Sequence, residues 1–219
     1  MEHKSKIEVE IWSDLMCPFC YIGKRKFETA LAIFEHKQDV EVVWKSFQLS
    51  PDLVTQPHKN NYQFLAEHKG ISIEEAKGMA DYVTEVAKKV GLVYNFETAV
   101  VANSFKAHRF LHFTKIYGNQ NEAEELLFKA YFTDGQNTDD TIVLLEIGKT
   151  LGLDIIMLKN ALETNAFAEE VKADIQEAQQ VGVRGVPFFV FNRKFAVSGA
   201  QESDVFLQTL QKSYQQSLL

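Results

Sequence analysis

The sequence predicts an α/β protein: one sheet built from segments at the two ends of the chain, with a long helical block inserted between them. Three observations carry this. Alternating apolar residues mark strands near residues 7–11 and 40–44, and strand-like patterning returns only near 186–197. The stretch between, from about residue 60 to 182, is helical in period, and no proline falls between Pro57 and Pro187. Both cysteines of the 219-residue chain sit in one motif, Cys17-Pro18-Phe19-Cys20, where the first strand gives way to the first helix.

Ile7, Val9 and Ile11 alternate with Glu8 and Glu10, the period of a half-buried strand. Residues 18–35 read as a helix, with Pro18 in the first turn and Phe27, Ala30, Leu31 and Phe34 on one face. Residues 40–44 form a second strand, which a crossover helix makes parallel to the first. Ser72-Ile73-Glu74-Glu75 is a capping-box pattern that opens a helix running to Val90 and stopping at Gly91. Further helices are expected at 103–117, 122–132, 139–150, 154–164 and 166–181. The run 186–191, a turn at Asn192-Arg193-Lys194 and residues 195–197 read as a hairpin, followed by a terminal helix near 204–215.

Composition narrows the function. Hydrophobic residues at 46% and charged residues at 24% describe a chain with a real core. A net charge of −7, with no Lys/Arg-rich run, argues against nucleic acid or an anionic membrane as partner. No apolar run approaches the roughly 18 residues of a membrane span. The segment Met1-Glu2-His3-Lys4-Ser5-Lys6 has no apolar core or cleavage site of a secretory signal, so a cytoplasmic location is expected.

A disulfide across so short a loop removes little chain entropy, so a fold stapled by disulfides is excluded. Redox chemistry, metal binding or an incidental pair remain. For redox chemistry the placement is apt. Cys17 would meet unpaired N–H groups and the positive end of the helix dipole, which favour thiolate, so its pKa is expected to fall. Cys20, one turn on and more buried, would resolve the mixed disulfide. Pro18 stiffens the turn, and Phe19 offers the thiolate no donor. For metal binding, His108 and His112 stand at i and i+4 and could complete a zinc site with the two cysteines. Several other residues carry two readings. Asp14 is a proton relay for the cysteines or a helix cap. Asn103 holds a substrate or glutathione backbone, or caps a helix. His108 lines a substrate cleft or has no role, and Phe19, Tyr21 and Phe188 rim a peptide groove or belong to the core.

The segment from Ser13 to Lys24, Ser-Asp-Leu-Met-Cys-Pro-Phe-Cys-Tyr-Ile-Gly-Lys, closely resembles the DsbA-like thioredoxin-fold oxidoreductases, in particular their FrnE-like branch. Gly182-Val183-Arg184-Gly185-Val186-Pro187-Phe188-Phe189-Val190 resembles that family's cis-proline loop, and Val197-Ser198-Gly199-Ala200-Gln201 its following turn. Asn103-Ser104-Phe105-Lys106-Ala107-His108-Arg109 is similar to its helical-domain motif. The resemblance implies a thioredoxin-like fold with an inserted all-helical domain. Residues 1–59 and 183–219 would form the first domain and 60–165 the insertion, with the helix at 166–182 packing on the first. It implies a cis Val186–Pro187 bond beside the cysteines, with the Val186 backbone pairing an extended substrate. The activity implied is exchange of a Cys17–Cys20 dithiol or disulfide with protein or small-molecule thiols, without a resident cofactor. Kappa-class glutathione transferases and 2-hydroxychromene-2-carboxylate isomerases share the layout, so a glutathione-dependent transferase or isomerase is the rival, with glutathione a candidate co-substrate. Those families typically carry serine at the active position, whereas both Cys17 and Cys20 are present here.

Overall fold

The computed structural model describes residues 6–218; the segment read above for a missing secretory signal lies, up to Ser5, outside them. The chain divides into two compact units, Met1–Phe47 with Asp174–Leu219, and Gln48–Ala173.

The first unit begins with β1 (Ile7–Ser13), α1 (Pro18–Ile33), a 3-10 turn at Lys37–Asp39 and β2 (Val40–Ser46). β2 lies parallel to β1 in the register Ile7↔Val40 to Ser13↔Ser46. The alternation read at residues 7–11 runs on to Ser13, and every β1 residue except Glu8 is buried.

The second unit carries β3 (Gln56–Asn60), α2 (Asn61–Lys69), α3 (Ile73–Lys88), β4 (Val100–Val101), α4 (Phe105–Lys115) and α5 (Gln120–Phe128). A π-helical turn, Lys129–Thr133, prolongs α5, and α6 (Thr141–Thr150) and α7 (Ile155–Glu163) follow. Local chemistry sets these boundaries. Ser72 accepts from Glu75 N while the Glu75 side chain accepts from Ser72 N, the reciprocal box expected. Asn60 and Gln63 do the same for α2, which Gly70 ends at φ 66°. Asp140 and Asp154 cap α6 and α7.

The insertion is not purely helical, because β3 and β4 pair antiparallel as a small separate ribbon. Its strands are short and irregular, and Pro57 interrupts one of them, so no period of two marks them in the sequence. Both strands lie within the second unit, which begins at Gln48. At the other end, α8 (Ala168–Gln180) crosses from the second unit into the first at Asp174.

The first unit closes with β5 (Phe188–Phe191), β6 (Phe195–Ser198) and α9 (Ser203–Ser217). β5 runs antiparallel to β1, and β6 to β5, giving the sheet order β2-β1-β5-β6. Asn192 and Arg193 make the hairpin turn, both at positive φ. One face of the sheet collects Ile7, Val9, Ile11, Trp44, Phe189, Phe191 and Val197 under Phe27, Phe34, Phe206 and Leu210 of α1 and α9. The other face carries Trp12 and Val190, packed with Ala178 and Val183. Among the described residues no helix is long and apolar enough to cross a membrane.

Candidate active site

The cysteines stand where β1 turns into α1. Past Ser13 the chain makes a tight bend: Cys17 N donates to Asp14 O (2.9 Å), and Met16 N donates to Asp14 Oδ1 (3.3 Å). The Asp14 side chain, fully buried, therefore braces the bend that aims Cys17. Cys17 is the N-cap of α1, with extended backbone and Pro18 next to it. An N-cap side chain overlooks the first N–H groups of its helix, which have no intrahelical acceptor. Here no capping oxygen competes for them, and the side chain at that place is sulfur. Phe19 is exposed beside it.

Cys20 is completely buried on the inner side of the turn, and both cysteines are in the thiol state. Burial pushes the Cys20 thiol well above the ordinary range, and the hydrogen bond to Cys17 and the charge that sulfur can carry add to this. Bonds from the Asp14 backbone and the Ser13 side chain work in the opposite direction without offsetting it. The two sulfurs are thus chemically unequal. Cys20 holds its proton and donates toward Cys17, which is itself 5% exposed where Cys20 is fully covered.

On the other side of Cys17 lies the loop before β5. Cys17 Sγ donates to Val186 O at 3.4 Å, and the Val186–Pro187 peptide is cis. Pro187 is held from two sides. Gly199 N donates to Pro187 O at 2.8 Å, and α1 presses against its ring at Gly23, where a Cβ would come within 2.9 Å of Pro187 Cγ. Gly23 is therefore a positioning residue, since a side chain there would displace the proline loop. Together with Ser13, it is a part of the site that motif reading did not single out. Its signal is its spacing, three residues and about one turn of helix after Cys20 on one face.

The sheet face bearing Trp12 also holds charges. Trp12 Nε1 donates to Asp174 O (3.0 Å), and Ser46 N to Asp174 Oδ2 (2.9 Å). Lys45 Nζ reaches Asp174 Oδ1 at 3.1 Å, Glu177 Oε2 at 2.9 Å and Glu10 Oε1 at 3.8 Å. Arg193 bridges Glu10 and Glu177. Burial raises the Glu10 carboxyl above its usual range despite both cations. Burial also works to raise Glu177, but its bonds to Lys45 and Arg193 outweigh it and hold that carboxyl below the usual range.

The remaining candidates belong to the second unit. Asn103 lines a cleft of about 590 Å³ with Gln48, Thr55, Lys106, Arg109 and Asp139. Both ends of its amide are engaged: Nδ2 donates to Leu53 O (2.7 Å) and Pro51 O (3.3 Å), while Oδ1 accepts from Phe105 N (2.8 Å) and Gln48 Nε2 (3.2 Å). It thus ties the segment after β2 to the start of α4. His108 is buried in α4, with 1% of its surface exposed. Its neighbour Arg109 donates to Ala161 O and Leu162 O, the last carbonyls of α7, and so caps that helix. Among the described residues no three His, Cys, Asp or Glu side chains converge as a metal site would require.

Known proteins place this arrangement. The chain is 29% identical over 209 residues to the uncharacterized protein YwbO of Bacillus subtilis (strain 168), covering 91% of this chain and 94% of that one. A probable DsbA oxidoreductase from Streptomyces coelicolor superposes with a TM-score of 0.87 at 38% identity, over 95% of this chain and 90% of that one. The cytosolic disulfide reductase DsbM from Pseudomonas aeruginosa, solved with GSH, shares the fold at 15% identity with a TM-score of 0.67, over 95% and 99% of the two chains. The family model of the DSBA-like thioredoxin domain matches residues 8–211. With strand, Cys-Pro-Phe-Cys turn and proline loop all inside that span, the chain belongs to the family of DSBA-like thioredoxin domains.

Proposed function

We propose that this protein is a cytoplasmic thiol–disulfide oxidoreductase that exchanges its Cys17–Cys20 pair with disulfides or thiols of protein and small-molecule substrates. The observation that carries the reading is the inequality of the two sulfurs. Cys17 sits at the N-cap of α1, while buried Cys20 is held protonated one turn away. A nucleophile and a resolving thiol need that division of labour.

In the reductive direction the Cys17 thiolate attacks one sulfur of a substrate disulfide. A Cys17–substrate S–S bond forms, the substrate S–S bond breaks, and the leaving thiolate takes a proton. Cys20 then gives up its proton and its sulfur attacks Cys17. The protein disulfide forms, and the second substrate thiolate leaves and is protonated. Two electrons and two protons pass to the substrate, and the reverse sequence oxidises a dithiol. The positive end of the α1 dipole favours charge on Cys17 in the first, attacking step. Asp14 braces the turn, and the low dielectric around Cys20 keeps its thiol neutral until Cys17 is blocked.

Val186, Pro187 and exposed Phe19 would form the substrate-facing rim. Glutathione is a candidate small thiol; the DsbM structure was solved with it, and that protein is described as cytosolic. We give Asn103 and His108 no part in the exchange, because the first is fully bonded within its own unit and the second is buried.

The test is reduction of insulin disulfides by the purified protein. Cys20→Ser should abolish multiple turnover while still forming a mixed disulfide through Cys17. Unchanged turnover in that variant overturns the two-cysteine mechanism.

A further inference from the structure

Helix α3 buries little of the apolar surface it carries. Its buried residues are three alanines, Ala76, Ala80 and Ala87, and α2 is its principal neighbour. The larger apolar side chains lie on another face: Met79 is 43% and Tyr82 66% exposed, and Val86 is half-buried. With the exposed Glu75 and Lys89 they occupy positions 75, 79, 82, 86 and 89. This alternation of four- and three-residue steps is the spacing of a coiled-coil seam, one stripe along an α-helix. Lys89 keeps helical backbone just past the last residue of α3, so it continues the stripe. The stripe is therefore acidic at its start, apolar at its middle and basic at its end. Among the described residues no hydrogen bond or ion pair engages the side chains of Met79, Tyr82 or Lys89.

From this we infer that the stripe is a contact between two copies of this chain, with α3 of one packed antiparallel on α3 of the other. Charge decides both the occupant and the direction. A parallel pair would set glutamate beside glutamate at one end and lysine beside lysine at the other, and like charges at such a seam repel. An antiparallel pair about a twofold axis at Tyr82 sets Glu75 against the partner's Lys89 and Lys89 against the partner's Glu75, because both lie seven residues from Tyr82. The same axis interleaves Met79 with the partner's Val86 and brings the two tyrosines together at the centre. An isologous contact requires this self-complementarity, each patch matching itself after the twofold rotation. Tyrosine suits the middle of such a contact, since it brings much area at a low cost in side-chain entropy. Glu75 already accepts from Ser72 N, and a carboxylate has further lone pairs for a lysine. The two helix dipoles also oppose each other in this arrangement. An unrelated apolar partner would not call for acid and base at equal distances on either side of one tyrosine.

A stripe about 21 Å long falls short of the roughly 800 Å² per partner of a standard interface, so the dimer is expected to form and dissociate with concentration. The experiment is sedimentation velocity of the purified full chain from low to high micromolar concentration, under reducing conditions so that no disulfide joins copies. The mass should rise from that of one chain toward that of two. Tyr82→Glu places two carboxylates at the axis and should weaken association about ten-fold or more. Lys89→Glu, a change at an exposed helix end, should weaken it roughly three-fold or more, because the twofold makes the lost pair occur twice. Adding Glu75→Lys to Lys89→Glu exchanges the two ends of the stripe and should restore association. Circular dichroism establishes that each variant is folded. A monomer at every concentration overturns the inference, as does a dimer that Tyr82→Glu and Lys89→Glu both leave intact. A double variant that associates no better than Lys89→Glu alone overturns the antiparallel register. Insulin turnover reports separately on the cysteine pair, to whose turn α3 contributes no residue, so the exchange chemistry and the dimer stand or fall independently.

Discussion

The two faces of the four-stranded sheet are built on opposite principles. Under α1 and α9, Phe27, Phe189 and Phe206 form a mutual aromatic contact, with centroids 5.6, 5.8 and 4.6 Å apart, at the centre of an apolar cluster. Across the sheet, Trp12 and Val190 share their layer with Glu10, Lys45, Asp174, Glu177 and Arg193, joined in one network. The first face derives its stability from apolar area removed from water, which is indifferent to pH. The second holds three carboxylates and two cations in partial burial, where each charge depends on its partners. The cysteine turn emerges from the strand both faces share. The difference suggests that the aromatic face provides the rigidity of the site, while the charged face makes that rigidity sensitive to pH.

Three substitutions separate these roles. The largest effect is expected from Phe189→Ala, which empties the centre of the aromatic cluster. A buried Phe→Ala change costs about 3–5 kcal/mol, and the loss in urea denaturation should be the same at pH 5 and pH 8. A loss that varies strongly between them would break the comparison. Next comes Gly23→Ala, where α1 meets Pro187. The added methyl meets the proline ring at 2.9 Å and should cost roughly 1–3 kcal/mol. Insulin reduction should fall by more than the stability loss explains, because the ring that moves borders Val186. Full activity in a stably folded Gly23→Ala protein would remove Gly23 from the positioning role.

The smallest effect is that of Glu177→Gln on the charged face. The Glu177 carboxyl titrates below its ordinary value in the folded protein. The ionised form is therefore favoured by folding, and its contribution is present above the unfolded value of 4.5 and lost as pH falls through the folded one. The stability difference between wild type and Glu177→Gln should be largest near neutrality and shrink as the pH falls below about 4.5. Glu10 has the opposite sign. Its raised carboxyl favours the protonated form, so its contribution is present at low pH and lost as pH rises. A pH-independent difference for Glu177→Gln would show that its ion pairs with Lys45 and Arg193 are not what shifts it.

Much of this was legible residue by residue. The alternation of Ile7, Val9 and Ile11, the Ser72–Glu75 capping box and the place of Cys17 before Pro18 are local signals, and each lies within a few residues of the structure it specifies. The β3–β4 ribbon was not legible, because a two-residue strand such as Val100–Val101 has no period. Nor was the charged network, whose five members come from β1, β2, α8 and the β5–β6 turn and look individually like ordinary surface charges. Asn103 resembles a ligand-binding amide in the sequence, and only its bonds to Leu53, Pro51, Gln48 and Phe105 show it tying two segments together.

By itself, then, the sequence determined the type and order of the elements and the chemistry of the cysteine turn, because secondary structure and capping are decided by neighbours within one or two turns of chain. Only the tertiary structure decided that Cys17 bonds the Val186 carbonyl, 169 residues on, that Gly23 leaves room for Pro187, and that Glu10 and Glu177 shift in opposite directions. Those depend on distances between segments remote in sequence, and on how much water the packing leaves around each charge.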